Sequence, residues 1–212
     1  YSGSKLKCLP TSMEAGYATV EVSNNARDYT SDGVQFEFVS VRMTEICPWG
    51  GPLQGATTVT FSGTGFMDIN LQCKFGDLEA VPVVYLSDTA ARCTTPAIRT
   101  AGWVRASLVS FSVLYESSTS FYYHNNVSVS ELAPWVGPNL GGTRVNVLGS
   151  HFMEATQGSC RFTTTDKVVV GRWVDSRELE CTAPAVRDGS WPAEVSMNAQ
   201  QYTDEDVVFE YQ

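Results

Sequence analysis

Six cysteines and two histidines are the residues of this 212-residue chain that are best suited to chemistry. Three of the cysteines, Cys8, Cys93 and Cys181, lie two or three positions before a proline. They recur at a spacing of 85 residues (8 to 93) and then of 88 residues (93 to 181). Such regular spacing indicates a unit that is repeated along the chain.

The two histidines do not form a catalytic constellation with a nucleophile. His124 and His151 fall in different copies of the repeat, and the preceding copy has Thr64-Gly65 where the last has Ser150-His151. A Ser-His-Asp site needs all its members together. We therefore expect His151 to be a loop residue and not a general base.

Two further patterns lack the residues that a binding site would require. Gly63-Thr64-Gly65 has no third glycine and no helical pattern after it, so it is not a dinucleotide loop. Asp204-Glu205-Asp206 carries carboxylates that could bind Ca²⁺, but the preceding copy has Glu116-Ser117-Ser118 there, which favours a solvated loop. We predict a protein that is not an enzyme and that needs no cofactor or metal.

The composition excludes two classes of partner. The net charge is −9, from 14 basic and 23 acidic residues, whereas nucleic-acid binding requires a basic surface. No run of about 18 apolar residues is present, so we expect no direct membrane insertion in this segment. Hydrophobic residues make up 43% of the chain, which is enough for packed cores.

The repeat has two complete copies and the back half of a third. Copies match over an opening turn, a first long strand, a cysteine-bearing strand, a Cys-Pro turn and a closing strand. The opening segments are Cys47-Pro48-Trp49-Gly50-Gly51-Pro52 and Ala133-Pro134-Trp135-Val136-Gly137-Pro138, and the closing segments are Phe36-Glu37-Phe38, Phe121-Tyr122-Tyr123 and Phe209-Glu210-Tyr211. We place the boundaries at 1–40 for the half copy, 41–124 for the second copy and 125–212 for the third.

Each copy has the pattern of short β-strands. Alternating apolar residues, as in Val145 and Val147, place one face of a strand inward. Gly, Pro, Asn and Asp interrupt these runs every 8 to 12 residues. About seven such strands per copy predict an all-β fold of tandem immunoglobulin-like sandwiches, the first of them incomplete.

The ordered motifs resemble the IPT/TIG family, an immunoglobulin-like fold shared by plexins, fibrocystin-like proteins and some transcription factors. The residues that carry the resemblance in the last copy are Pro134, Gly137-Pro138, Gly141-Gly142-Thr143, Gly149, Phe152, Cys160-Arg161-Phe162, Cys181, Pro184 and Phe209-Glu210-Tyr211. The last copy lacks the glycine that the family has after Phe162. The family serves adhesion, signalling and DNA binding, so the resemblance defines the fold more closely than the function.

Repeat position pairs Cys73 with Cys93 and Cys160 with Cys181, and the resemblance supports both bridges. Such bridges imply a secreted, extracellular or cell-surface location. The alternative is a cytosolic protein with six reduced thiols. Cys8 and Cys47 remain unassigned, and Cys47 could bond to Cys8, to another chain or to nothing.

Asn126-Val127-Ser128 is an N-glycosylation sequon at the junction between the last two copies. It agrees with a secreted glycoprotein, so glycans are expected partners. An aromatic platform of Trp103, Tyr122 and Tyr123 would be required if the chain were a carbohydrate-binding module.

The copies follow one another without a flexible linker, which favours a stiff rod. We therefore interpret the chain as a non-enzymatic extracellular structural or adhesive segment of a rod, filament or surface appendage. The half copy would be completed by neighbouring copies of the protein or by sequence before Tyr1. The alternative is a ligand-binding or stalk ectodomain of a plexin- or fibrocystin-like cell-surface receptor.

Overall fold

The computed structural model describes residues 5–11, 14–110, 113–115, 119–154, 157–162 and 167–212, and this part of the chain contains strands and no helix. None of its segments is therefore a helix long and apolar enough to cross a membrane. The strands build immunoglobulin-like β-sandwiches in tandem, which confirms the predicted fold class.

The first copy is a two-stranded hairpin. β1 (Gly16–Thr19) and β2 (Gln35–Phe38) are antiparallel, with Gly16 opposite Phe38. The side chains of Tyr17 and Phe36 are 70% and 45% exposed. Phe36 and Val39 line a cleft of about 280 Å³ together with Ile69 and Leu71 of the second copy.

The second copy contains nine strands, and its two layers are linked at β7. The strands are β3 (Arg42–Cys47), β4 (Gly50–Pro52), β5 (Thr58–Thr64), β6 (Leu71–Phe75), β7 (Val81–Ser87), β8 (Ala90–Thr94), β9 (Gly102–Ser110), β10 (Val113–Tyr115) and β11 (Ser120–His124). One layer has the order β3-β5-β8-β7 and the other β7-β6-β9-β11-β4, with β10 paired to β9.

The third copy repeats this arrangement, but its counterparts of β7 and β9 are each divided into two strands. The strands are β12 (Ser128–Ala133), β13 (Val136–Gly137), β14 (Arg144–Ser150), β15 (Ser159–Arg161), β16 (Val168–Val170), β17 (Arg172–Asp175), β18 (Glu178–Thr182), β19 (Gly189–Pro192), β20 (Glu194–Ser196) and β21 (Val208–Tyr211). β19 and β20 together take the place of β9, and they separate at Ala193.

The opening turn of each complete copy transfers the chain from one layer to the other. β3 is antiparallel to β5, and after Pro48 the chain continues as β4, which is parallel to β11 in the other layer. β12 and β13 do the same around Pro134, where β13 is parallel to β21. Proline ends the pairing of the first strand because it has no backbone N–H to donate.

Each complete copy has its own hydrophobic core. Phe61, Phe75 and Phe121 are fully buried in the second copy, as are Phe162 and Phe209 in the third. The aromatic rings meet edge to face, for example Phe75 with Phe121 at 5.5 Å between centroids. Two separate cores make two domains, so any fixed angle between them must come from contacts at the junction.

Candidate functional site

The junction between the two complete domains is formed by one loop of the third copy and one strand edge of the second. Residues Ser196–Thr203, here named the seam loop, follow β20. Asn198 organises this loop, because its Oδ1 accepts the backbone N–H groups of Gln200 and Gln201 at 3.1 and 3.2 Å. Asn198 is only 3% exposed. These hydrogen bonds lie within the loop, so its conformation is held without the second domain.

Side chains of the seam loop bind residues 56–58 of the second domain, here named the acceptor edge. Asn198 Nδ2 donates to the Thr57 hydroxyl at 3.3 Å and to Gln201 Oε1 at 2.6 Å. The Thr57 hydroxyl donates in turn to Gln201 Oε1 at 3.0 Å. Gln201 Nε2 donates to the Ala56 carbonyl at 3.0 Å. Thr57 is fully buried, and a buried hydroxyl without these partners would carry a desolvation cost.

The acceptor edge has no neighbouring strand on its outer side, because β3 pairs with β5 but does not reach as far as Thr58. Pairing between these strands stops at Cys47 opposite Thr60, and the chain then turns away at Pro48. The Thr57 carbonyl faces β8, where it accepts from Thr95 N–H. Since successive residues of a strand point their backbone groups to opposite sides, Thr58 directs its N–H and C=O outward. Gln200 binds both, at 2.8 and 2.9 Å.

Apolar residues close the rest of the seam. Pro48, Trp49 and Gly50 of the second domain face Met153 and Met197 of the third around a cavity of about 10 Å³. A cavity of that size is at or below the space that one water molecule requires. A Cβ on Gly50 would lie 3.2 Å from the Tyr122 carbonyl oxygen and 3.7 Å from Met153 Cε. The domains are therefore in direct contact here.

His124 lies in this seam and is 6% exposed. Its Nδ1 donates to the Asn125 carbonyl at 2.8 Å, while Nε2 has no hydrogen-bond partner among the residues that the structure describes. Burial lowers the pKa of His124, the bond to Asn125 O opposes this, and the nearby His151 lowers the pKa further. The structure thus brings together two histidines that lie in different copies of the sequence repeat.

Two equivalent tyrosines differ in their hydrogen bonding. The Tyr123 hydroxyl donates to the Pro96 carbonyl at 2.9 Å, and burial raises the pKa of this side chain to about 12. Tyr211 occupies the same place in the third domain, and burial raises its pKa to about 12 as well. Within the described chain, however, the Tyr211 hydroxyl has no partner.

The cysteines divide as two bonded pairs and two free thiols. Cys73 is bonded to Cys93 and Cys160 to Cys181, with Cα–Cα distances of 6.5 and 6.4 Å. Both bridges join strands of opposite layers, β6 to β8 and β15 to β18. Cys8 and Cys47 are free and exposed. Cys47 lies at the seam, where its sulfur accepts from Gln157 Nε2 of the third domain at 3.4 Å.

The remaining predicted site residues have different surroundings. Asn126 is exposed and lines an open cleft of about 280 Å³ between the two domains. Trp103 is 62% exposed and stacks on Trp49 at 5.5 Å, with Tyr122 at 5.1 Å. Tyr123 is fully buried, so it is not part of an exposed aromatic platform. No cluster of three His, Cys, Asp or Glu side chains that could hold a metal ion occurs among the described residues.

The sequence model of the IPT/TIG domain family matches residues 42–126 and again residues 127–211. This chain belongs to the IPT/TIG family. The two TIG matches meet at Asn126 and Val127, so the seam described above is a contact between consecutive TIG domains.

Curated relatives are large proteins of which this chain spans a small part. It is 30% identical over 129 residues to Plexin-A4 of Homo sapiens, covering 56% of this chain and 7% of that protein. It is 24% identical over 212 residues to Fibrocystin-L of Mus musculus, covering 96% of this chain and 5% of that protein. A solved structure of the full Plexin A4 extracellular region superposes with a TM-score of 0.60 at 18% identity, over 84% of this chain and 16% of that one. That likeness concerns the fold.

Motif reasoning does not identify the seam residues Asn198, Gln200 and Gln201, because their partners are mostly backbone atoms. One pattern in the sequence could have identified them, namely the similarity of the seam loop to a segment of the first copy. Ser196-Met197-Asn198-Ala199-Gln200-Gln201-Tyr202-Thr203 matches Ser23-Asn24-Asn25-Ala26-Arg27-Asp28-Tyr29-Thr30 at five of eight positions. The matched positions include the asparagine that organises the loop.

Proposed function

We propose that this chain is a stiff, non-enzymatic spacer in the extracellular region of a cell-surface protein of the receptor type. The observation that carries the proposal is the seam, where Asn198, Gln200 and Gln201 hold the acceptor edge of the preceding TIG domain. A spacer of this kind fixes the distance and the orientation of whatever lies at its two ends.

Location outside the cell is supported by chemistry and by similarity. Each complete domain has a disulfide between its two layers, and disulfides form and persist in oxidising compartments. The similarity to Plexin-A4 and Fibrocystin-L favours a receptor ectodomain over a free structural fibre. The net charge of −9 does not suit nucleic acid as a partner.

Stiffness of the seam is tested by a cross-link that forms only when the domains are in contact. Gln157→Cys, in a Cys8→Ser background, places a thiol beside Cys47, and we name this pair the seam trap. A short bismaleimide should join the pair at least about tenfold faster than it joins Cys47 to a thiol introduced by Leu140→Cys, because contact raises the effective concentration. Leu140 is 85% exposed and lies on the opposite end of the third domain, which makes it a matched control. Equal rates would mean that the domains move freely.

Location is tested with an antibody raised against the purified chain. Staining at the surface of intact, non-permeabilised cells is expected for a receptor ectodomain. Staining of only the cell interior would overturn the proposal.

A filament or surface appendage is the second candidate, and the direct contact between consecutive domains at the seam favours it, because a rod requires neighbouring domains that are held together. Electron microscopy of the purified protein would support this candidate by showing fibres, and dispersed particles alone would remove it.

A further inference from the structure

The small cavity at the seam is lined by three side chains that can bind a soft metal ion. His124 of the second domain lines it together with Met153 and Met197 of the third. The volume of the cavity is about 10 Å³, so its lining side chains lie close to one another. That volume is too small for an organic molecule and suits a single atom or ion.

His124 presents a free ring nitrogen at this place. Its Nδ1 lies 2.8 Å from the Asn125 carbonyl oxygen, which can only accept, so Nδ1 carries the proton of the neutral ring. Nε2 then has a lone pair, and it has no hydrogen-bond partner among the described residues although His124 is 6% exposed. A histidine that ligates a metal commonly donates its other ring N–H to a carbonyl in this way.

Met153 and Met197 add two thioether sulfurs to the same cavity. Met197 is 5% exposed, and the methyl carbon of the half-buried Met153 lies beside Gly50 of the second domain. Methionine often fills irregular gaps in a core. Here, however, both methionines share a cavity with an unpaired imidazole nitrogen, which apolar packing does not require.

These three residues are not needed at every junction between copies. At the equivalent positions around the first junction, Met67 corresponds to Met153, but Val39 stands in place of His124 and Asn24 in place of Met197. The repeat therefore does not dictate the histidine and the second methionine. Since the ligands come from separate parts of the repeat, their spacing forms no recognisable metal motif.

The ligand set favours a soft monovalent ion. Thioether sulfur selects Cu(I), and imidazole binds copper as well as zinc. Zinc is bound by cysteine, histidine and carboxylate side chains and not by methionine. Within the described part of the chain no carboxylate lines the cavity, so a divalent ion would bring more uncompensated charge into a buried place. Trp49 lines the same cavity, and indole attracts a cation more strongly than the other aromatic side chains.

We propose that the seam binds one Cu(I) ion through His124 Nε2 and the sulfur atoms of Met153 and Met197. The ion binds as Cu(I) and no electron is transferred. Because one ligand belongs to the second domain and two belong to the third, the bound ion holds the two domains together. The inference deepens the stiff spacer of the proposed function and rests on the domain contact described there.

Uptake of Cu(I) is measured on the whole chain by competition with a coloured Cu(I) chelator in the absence of oxygen. Cys8→Ser and Cys47→Ser form the background, because free thiols bind Cu(I) by themselves. One equivalent should bind per chain, and Zn²⁺ should not displace it. Met153→Leu and Met197→Leu preserve the apolar volume and should each weaken binding at least about tenfold, as should His124→Asn.

Met67→Leu is the matched control for the methionine variants. Met67 occupies the position of Met153 in the preceding copy, is half-buried like Met153, and lines the cleft beside the first copy. Its substitution should leave Cu(I) uptake unchanged. His151→Asn serves as the control for His124→Asn, because His151 does not line the seam cavity.

Methyl NMR separates a metal ligand from a residue that only packs the seam. The chain has five methionines, which can carry isotope-labelled methyl groups. Ag⁺, a soft monovalent ion that needs no exclusion of oxygen, should shift the methyl signals of Met153 and Met197 at one equivalent. The signals of the methionines elsewhere in the chain should stay in place.

The inference and the proposed function fail separately. If the seam trap reacts but Cu(I) is not taken up, or if uptake is unaffected by Met153→Leu or by Met197→Leu, the inference is overturned and the spacer stands. Ag⁺ that shifts other methyl signals instead of these two would overturn the inference as well. If the seam trap fails while these two signals shift, the stiff spacer is the idea that falls.

Discussion

The side-chain amide of Gln200 pairs with both backbone polar groups of Thr58. Its Oε1 accepts from the Thr58 N–H at 2.8 Å and its Nε2 donates to the Thr58 carbonyl at 2.9 Å. One glutamine thereby continues the sheet at the point where β3 has ended. The partner atoms belong to the backbone, so the contact depends on the identity of Gln200 and not on that of Thr58.

The first prediction separates these two residues. Gln200→Ala should slow the seam trap by about five- to thirtyfold, because two net hydrogen bonds of roughly 0.5–1 kcal/mol each are lost at a partly solvated edge. Thr58→Ala keeps the backbone groups and should leave the rate within about twofold. Equal effects of the two substitutions would show that Gln200 does not hold the edge through its amide.

The second prediction uses the two equivalent tyrosines as a matched pair. Tyr123→Phe removes a buried hydrogen bond to the Pro96 carbonyl and should cost about 1 kcal/mol of unfolding free energy. Tyr211→Phe removes a hydroxyl that has no partner in the described chain and should be neutral or slightly stabilising. Urea denaturation of each variant measures both values. A larger loss of unfolding free energy for Tyr211→Phe than for Tyr123→Phe would contradict the assignment of the hydrogen bond to Tyr123.

The fold could be predicted from the sequence, because repeated strands, turns and cysteines each leave a pattern in residue types. The layer transfer at Pro48 and Pro134 follows from where proline stands in the opening turn. The seam could not be predicted in the same way. Gln200 binds the backbone of Thr58, and a backbone acceptor has no sequence signature. The meeting of His124 with His151 depends on how two domains are arranged, which no periodicity within a domain specifies.

The third prediction concerns the sequon at the junction. Asn126 is exposed and lines the cleft between the domains, so its side chain is accessible to modification. Secretion from mammalian cells should give a chain whose mass falls after treatment with a glycan-removing amidase. Asn126→Gln should abolish that mass difference, and Asn125→Gln should preserve it. A secreted chain of unmodified mass would show that the sequon is not used.

The fourth prediction is that acid loosens the seam through His124. The neutral ring is buried beside Pro48, Trp49 and Met197, so its protonated form is disfavoured and its pKa is lowered. An opened seam would return this pKa towards the ordinary value of about 6.5. As the pH falls below about 6.5, the open form binds a proton that the closed form does not, so the closed form becomes less stable relative to the open form. Below the lowered pKa both forms bind the proton, and the difference in stability no longer changes.

The neighbouring His151 strengthens the response of the seam to acid, because a positive charge on His151 disfavours a second charge on His124. Spin labels at the exposed positions Val84 and Val170 report the distance between the domains. In the parent chain the distance distribution should broaden as the pH falls below about 6.5, because the open form then binds a proton on His124 that the closed form does not. His124→Asn should remove the broadening and His151→Asn should retain it. If broadening persists without His124, another group opens the seam.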